Sequence, residues 1–300
     1  MKLEELLKGV DPSLEGRIKR AFCVWNAKIR AFLREESRLS LKREGHGGKV
    51  PVNVVPGYPM SLAKLGDLDV NVQAEHMVAV RKQATCAVSD LEAYIERLET
   101  LPEISIQQRQ VHASALVNLR GARDHLKKTL QFVIAKAVAK KILEVDEDVL
   151  GIYRHTALKG EIRIYWAVIG FAAQSLNIDP EGLAIVVLIH ELAHAYTHLG
   201  LDADGRVWAE FAKVGSPIKE ALAQYYTHLG VHRFMGQNAI LKKSYFQLLD
   251  HQPLIYRRHL EWAQSIAPEV VRSAVLEARQ QKISELAEFE EIFVREVRRI

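Results

Sequence analysis

Residues 179–200 read DPEGLAIVVLIHELAHAYTHLG, and this segment constrains the fold more than any other. Asp179 suits a helix N-cap, Pro180 suits the first helical position, Glu181 lies near the positive end of the helix dipole, and Gly200 is a natural stop. Residues 183–189 are apolar around the whole circumference, so the helix must be covered on every side. That same buried helix then carries His190, Glu191 and His194. Polar groups in such a place need partners, because bare ones are expensive in an apolar interior. The rest of the chain has to supply both the covering and the partners.

It is long enough to do so. With 300 residues, 48% apolar and 26% charged, the chain has ordinary globular usage, which excludes a mostly disordered, collagen-like or disulfide-framework protein. A net charge of +4 is too mild to imply nucleic acid, which is not expected as a partner. Two cysteines, Cys23 and Cys86, are expected as buried thiols in a reducing compartment. The N-terminal residues lack the apolar stretch of a secretory signal, and the longest apolar run, 183–189, is far short of the roughly 20 residues that span a bilayer. A soluble, cytoplasmic protein with no membrane partner is expected; nothing in the pattern sets an oligomeric state.

Periodicity predicts a mostly α (α+β) protein. Asp11-Pro12-Ser13 starts an amphipathic, basic helix running to about Glu44. The Gly- and Pro-rich residues 45–59 break it, with Val50, Val52 and Val54 alternating as a short strand that Pro51 confines to an edge. Met77, Val80, Ala84, Ala87, Leu91, Tyr94 and Leu98 form the seam of one long helix. Leu116, Leu119, Ala122, Leu126, Leu130, Val133 and Ala137 form a second, so an αα-hairpin is expected. Residues 149–166 read as a β-hairpin, and 167–176 return to helix. Further helices are predicted over 216–230, 237–250, 254–266 and 268–300. The expected division is a helical region over 1–148, a metal-binding core over 149–235, and C-terminal helices over 236–300 that pack on it.

The chemistry sits in residues 187–196, VLIHELAHAY. Residues four apart on a helix point about 40° apart, so His190 and His194 can reach one metal ion. Glu191 lies about 100° round from His190, placed to flank the ion and to act on a water as general base. A tetrahedral site with an open position needs one more protein ligand. His198 lies about 12 Å along the helix from His190, too far to share the ion, and reads as a surface or supporting residue.

These ten residues resemble the extended HExxH signature of the zincin metallopeptidases. The resemblance implies zinc as cofactor, Glu191 as the catalytic base, and a peptide or protein substrate. It also implies that the upstream hairpin serves as the edge strand along which substrate backbone lies. The metzincin pattern fails, since Thr197 stands where its Gly and Gly200 where its third His should be. Gluzincins take a glutamate from a later helix, and SPIKEALAQYYTHLG (216–230) resembles that helix, making Glu220 the implied third ligand. Gln224 stands where many of them place a bracing acid. Glu210 is the runner-up, with Asp202 and Asp204 as weaker candidates in a turn. For an oxyanion-stabilising group, Tyr225, Tyr226, His228, His232, Arg206, Tyr153, Arg154 and His155 all stay open. Two further readings stand beside the peptidase: a regulatory zincin acting on one dedicated protein, and a non-catalytic helical interaction protein with a structural metal or none.

Overall fold

The computed structural model describes residues 7–41, 50–59, 62, 75–100, 106–143, 149–156, 159–207, 209–281, 283 and 285–298. The turn signals at 45–48 and 101–103 and the acidic stretch 144–148 lie outside these residues. The described chain is mostly helical with one small mixed sheet. It divides into two compact units, one drawn from Leu68–Lys141 and the other from Leu3–Asp67 with Ile142–Ile300.

The first unit is a helical hairpin of α2 (Glu75–Glu99) and α3 (Ile106–Leu143) as far as Lys141, the last two residues of α3 belonging to the second unit. Glu99 pairs with Arg120 and Glu92 with Lys127 across it, in exposed bridges worth about 0–1 kcal/mol each. Among the residues of α2 whose side chains are described, Val88 and Ile95 are buried, while Tyr94 is 54% exposed. The packed face is thus turned from the expected seam, and Ala87 and Tyr94 fall outside it.

The second unit holds the sheet and the remaining helices. Strand β1 (Val52–Val55) runs parallel to β3 (Gly160–Tyr165), and β2 (Gly151–His155) pairs antiparallel with β3, giving the order β1-β3-β2. The expected hairpin is present, and β1 is an edge strand, as Pro51 requires. Helices α1 (Ser13–Ser37), α4 (Trp166–Leu176), α5 (Pro180–Leu199), α6 (Ser216–Phe234) and α7 (Ala239–Leu249) follow the predicted order. Helix α5 packs against α1, α4, α6, α7 and both hairpin strands, and every residue from Gly182 to His198 is buried. By length and composition α5 is apolar enough to cross a membrane, yet its whole apolar window lies inside the protein. Shorter helices α8 (His259–Ser265), α9 (Pro268–Gln280) and α10 (Leu286–Val297) complete the unit.

Four expectations are corrected. Helix α1 stops at Ser37, well before Glu44: Arg38 turns left-handed at φ 58°, and Ser37 Oγ donates to the Leu33 carbonyl while accepting from Leu39 N–H. The chain leaves the helix because Leu39 is fully buried and Ser40 pairs with Leu201 in a two-bond bridge. Helix α6 runs through Gly230 to Phe234; there the glycine is a close-packing residue, since a Cβ would meet Phe32 at 3.1 Å and Ile189 at 3.2 Å. The final helix is broken between α9 and α10, where Ile283 is buried and Phe289 and Phe293 pack on Trp262. Both cysteines are exposed; Cys23 follows Phe22 on the outward side of α1.

Candidate metal centre

The site depends on how firmly α5 is held. Asp179 Oδ2 accepts from Gly182 N–H at 2.6 Å, closing the N-terminus as a cap. Glu181 makes a two-pronged pair with Arg17 of α1, at 2.6 and 2.7 Å. Near the other end Tyr196 donates from its hydroxyl to the Arg30 carbonyl of α1 at 2.8 Å. The registry of the motif is fixed from both ends.

In this setting His190 and His194 face one point. Their ring centroids are 4.7 Å apart at 87°, and their Nε2 atoms are 3.0 Å apart. Glu220, one turn into α6, brings Oε2 to 3.3 Å from His190 Nε2 and 3.6 Å from His194 Nε2. Ala221 and Ala223 beside it are fully buried, so small side chains let α6 approach α5. Among the described residues these three form the group of His, Cys, Asp or Glu side chains able to hold an ion. A tetrahedral ion with bonds of about 2.0–2.1 Å separates its ligand atoms by roughly 3.3–3.4 Å, so the three donors already have the spacing that zinc would ask of them.

Glu191 is 1% exposed. It shares a cavity of about 30 Å³ with His190, Gly151, Gln224, Gln252 and Tyr256, room for a water or two. Gly151 opens β2 beneath the carboxylate: a Cβ there would lie 2.8 Å from Val187 Cγ1 and 2.9 Å from Glu191 Oε1. Tyr256 is buried with its ring 6.4 Å from that of His190.

On the other side of the triad, a larger cavity of about 130 Å³ is lined by Tyr153, His155, His194, His198, Lys219 and Glu220. His198 is therefore not a surface residue; it is 4% exposed, and its Nδ1 shares a 3.0 Å hydrogen bond with the Tyr153 hydroxyl. Burial, helped by the neighbouring charge of His155, Lys219 and Arg279, pushes its pKa down to about 3, so the ring is neutral. Burial also pushes the Tyr153 phenol well above its usual range. Burial lowers Lys219, against an opposing pull from Glu220.

The other sequence candidates are placed elsewhere. Asp202 Oδ1 accepts from Asp204 N–H and Arg206 N–H at 3.0 and 2.9 Å, a local turn that occupies it, and Asp204 and Arg206 are exposed. Glu210 lies in a 3₁₀ turn, Ala209–Lys213, and its side chain is outside the described residues. Tyr225 and Tyr226 are buried, and the His228 and His232 rings lie 4.3 Å apart at a tilt of 46° near Tyr245; none of them lines either cavity. Arg154 is exposed, while Tyr153 and His155 do line the larger cavity. Sequence reasoning missed Gly151, Lys219, Gln252 and Tyr256. Only Gly151 carried a signal, a glycine at a strand position, which often marks a close approach. Compared with known proteins, the chain matches no family model, and no curated protein or solved structure aligns with it significantly.

Proposed function

We propose that the protein is a zinc-dependent peptidase of gluzincin type, in which His190, His194 and Glu220 hold the ion and Glu191 is the general base. The reading is carried by the convergence of two imidazole Nε2 atoms and one carboxylate oxygen within 3.0–3.6 Å of one another. Two imidazoles and a carboxylate suit zinc, and three protein ligands leave a fourth position open. When bound, the ion polarises a carbonyl and makes water acidic near neutral pH. Glu191 then takes the proton of the attacking water and hands it to the leaving nitrogen. The small cavity beside its carboxylate has room for that water, and Gly151 keeps the space clear. Strand β2, at the sheet edge against α5, offers backbone along which a peptide would lie. The enclosed site favours short peptides or one dedicated protein with a flexible segment.

A structural ion is the second reading, favoured by depth: His190, Glu191 and His194 are 6%, 1% and 8% exposed. Elemental analysis with a panel of quenched peptides, run with and without chelator, separates the two. The expected result is one zinc per chain, lost in His194→Ala and Glu220→Ala. In Glu191→Gln zinc stays and hydrolysis falls by about 10²–10⁴-fold. Zinc at full occupancy with no chelator-sensitive hydrolysis in the parent protein would instead support the structural ion.

A further inference from the structure

The 130 Å³ cavity beside His194 has no part in the proton transfers above, and Lys219 and Glu220 are the charged residues of its described lining. Apart from Glu220, which is committed to the ion, no acid lines it among the described residues. Lys219 Nζ gives one of its three donors to the Ala212 carbonyl at 2.8 Å. His198 Nδ1 is the partner of the Tyr153 hydroxyl among the described residues, so the phenol proton is assigned to that bond and the ring's own proton to Nε2. That Nε2 is buried and has no hydrogen-bond partner among the described residues. His155 lies edge-on to His198 with ring centroids 4.0 Å apart, and Lys219 and Arg279 bring positive charge close to His198. A donor without an acceptor, an ammonium with donors to spare and a positive potential together call for an anion.

We infer that this cavity receives a carboxylate of the substrate, from either the chain terminus or an acidic side chain next to the scissile bond. The word substrate rests on the peptidase reading, and the setting aside of Glu220 rests on the ion it would hold. The space suits the group, since 130 Å³ holds several waters that a carboxylate and its methylene would displace.

Full-length Glu191→Gln protein, which binds without turnover, is titrated calorimetrically with two peptide pairs. One pair is tetra-alanine and its C-terminal amide; the other is a pair of amidated tetrapeptides differing only as glutamate against glutamine at one position. The expected result is that the carboxylate member of one pair binds at least about tenfold tighter than its neutral twin, and the pair showing it identifies the source. Adding Lys219→Met should shrink the preference to about twofold or less, while Lys219→Arg should keep it. Equal affinities in both pairs, no saturable binding of any carboxylate peptide, or a preference that survives Lys219→Met would each overturn the inference. The paired comparison is decisive on the lysine-bearing protein even if Lys219→Met does not fold. Zinc content measured on the same samples reports on the metal centre separately. A zinc-free chain that prefers the carboxylate twin keeps the anion site and removes the peptidase reading, and a zinc-loaded chain without preference does the reverse.

Discussion

A single methyl group is the sharpest probe of the candidate site. At Gly151 it would fall 2.8 Å from Val187 Cγ1, 2.9 Å from Glu191 Oε1 and 3.0 Å from Glu191 Cγ, so something must shift. Val187 is locked in the core, which leaves the carboxylate to give way. Gly151→Ala should lower hydrolysis about tenfold to a hundredfold with zinc content unchanged, since a misplacement of about an ångström weakens a positioned base. Steady-state rates beside elemental analysis check this; an unaltered rate would mean that Glu191 does not work from this position. Of the site's residues, His190, Glu191 and His194 were legible in the sequence because one helix sets their spacing. Glu220 was legible only through a resemblance. Tyr256, Gln252 and Lys219 were not, because distant contacts place them and no local pattern marks them. Lys219 stood beside the glutamate that drew attention and was passed over.

The helix that carries the motif owes its position to its ends. Asp179→Ala removes the acceptor for Gly182 N–H and should cost about 1 kcal/mol, seen as a lower urea midpoint with an unchanged slope. Retention of the midpoint would show that Pro180 and the Arg17–Glu181 pair hold this end without the cap. At this scale helix type and order were readable, since long apolar periodicity is a local signal. Ends were read well where a capping residue or proline marks them, as at Asp179, Ser216 and Pro268. They were misread where tertiary packing outweighs local chemistry. Burial of Leu39 ends α1 early, close packing on Phe32 and Ile189 carries α6 through a glycine, and burial of Ile283 breaks a helix that lacks any Gly or Pro signal.

For the molecule as a whole, buried histidines set an acid limit. Burial, with His232 close by, depresses His228 to about 4, and burial beside His228 depresses His259 to about 3. His259 Nε2 is tied to the Tyr245 hydroxyl at 2.6 Å, and the His228 ring lies 5.7 Å from His259 and 5.9 Å from Tyr245. Unfolded, both rings take up protons near the ordinary value of 6.5. The unfolded chain thus binds more protons between 6.5 and about 4, so stability rises with pH across that window and is lost on acidification. Chemical unfolding of metal-stripped protein should show a midpoint that falls between about pH 7 and 5 and is flatter above it. A midpoint constant over that range would mean these rings are not held neutral.

The pairing of β1 with β3 has a consequence for synthesis. Val52 and its neighbours leave the ribosome early, yet the strand they must meet begins at Gly160, after the whole of α2 and α3 has been made. The helical hairpin closes through contacts near in sequence and can settle while translation continues. The sheet cannot, and its N-terminal strand waits with unsatisfied backbone groups until Ile162 emerges. Slow or stalled elongation between these points would therefore leave a sticky edge in search of a partner, and this stretch of the message is where speed matters most for a good yield.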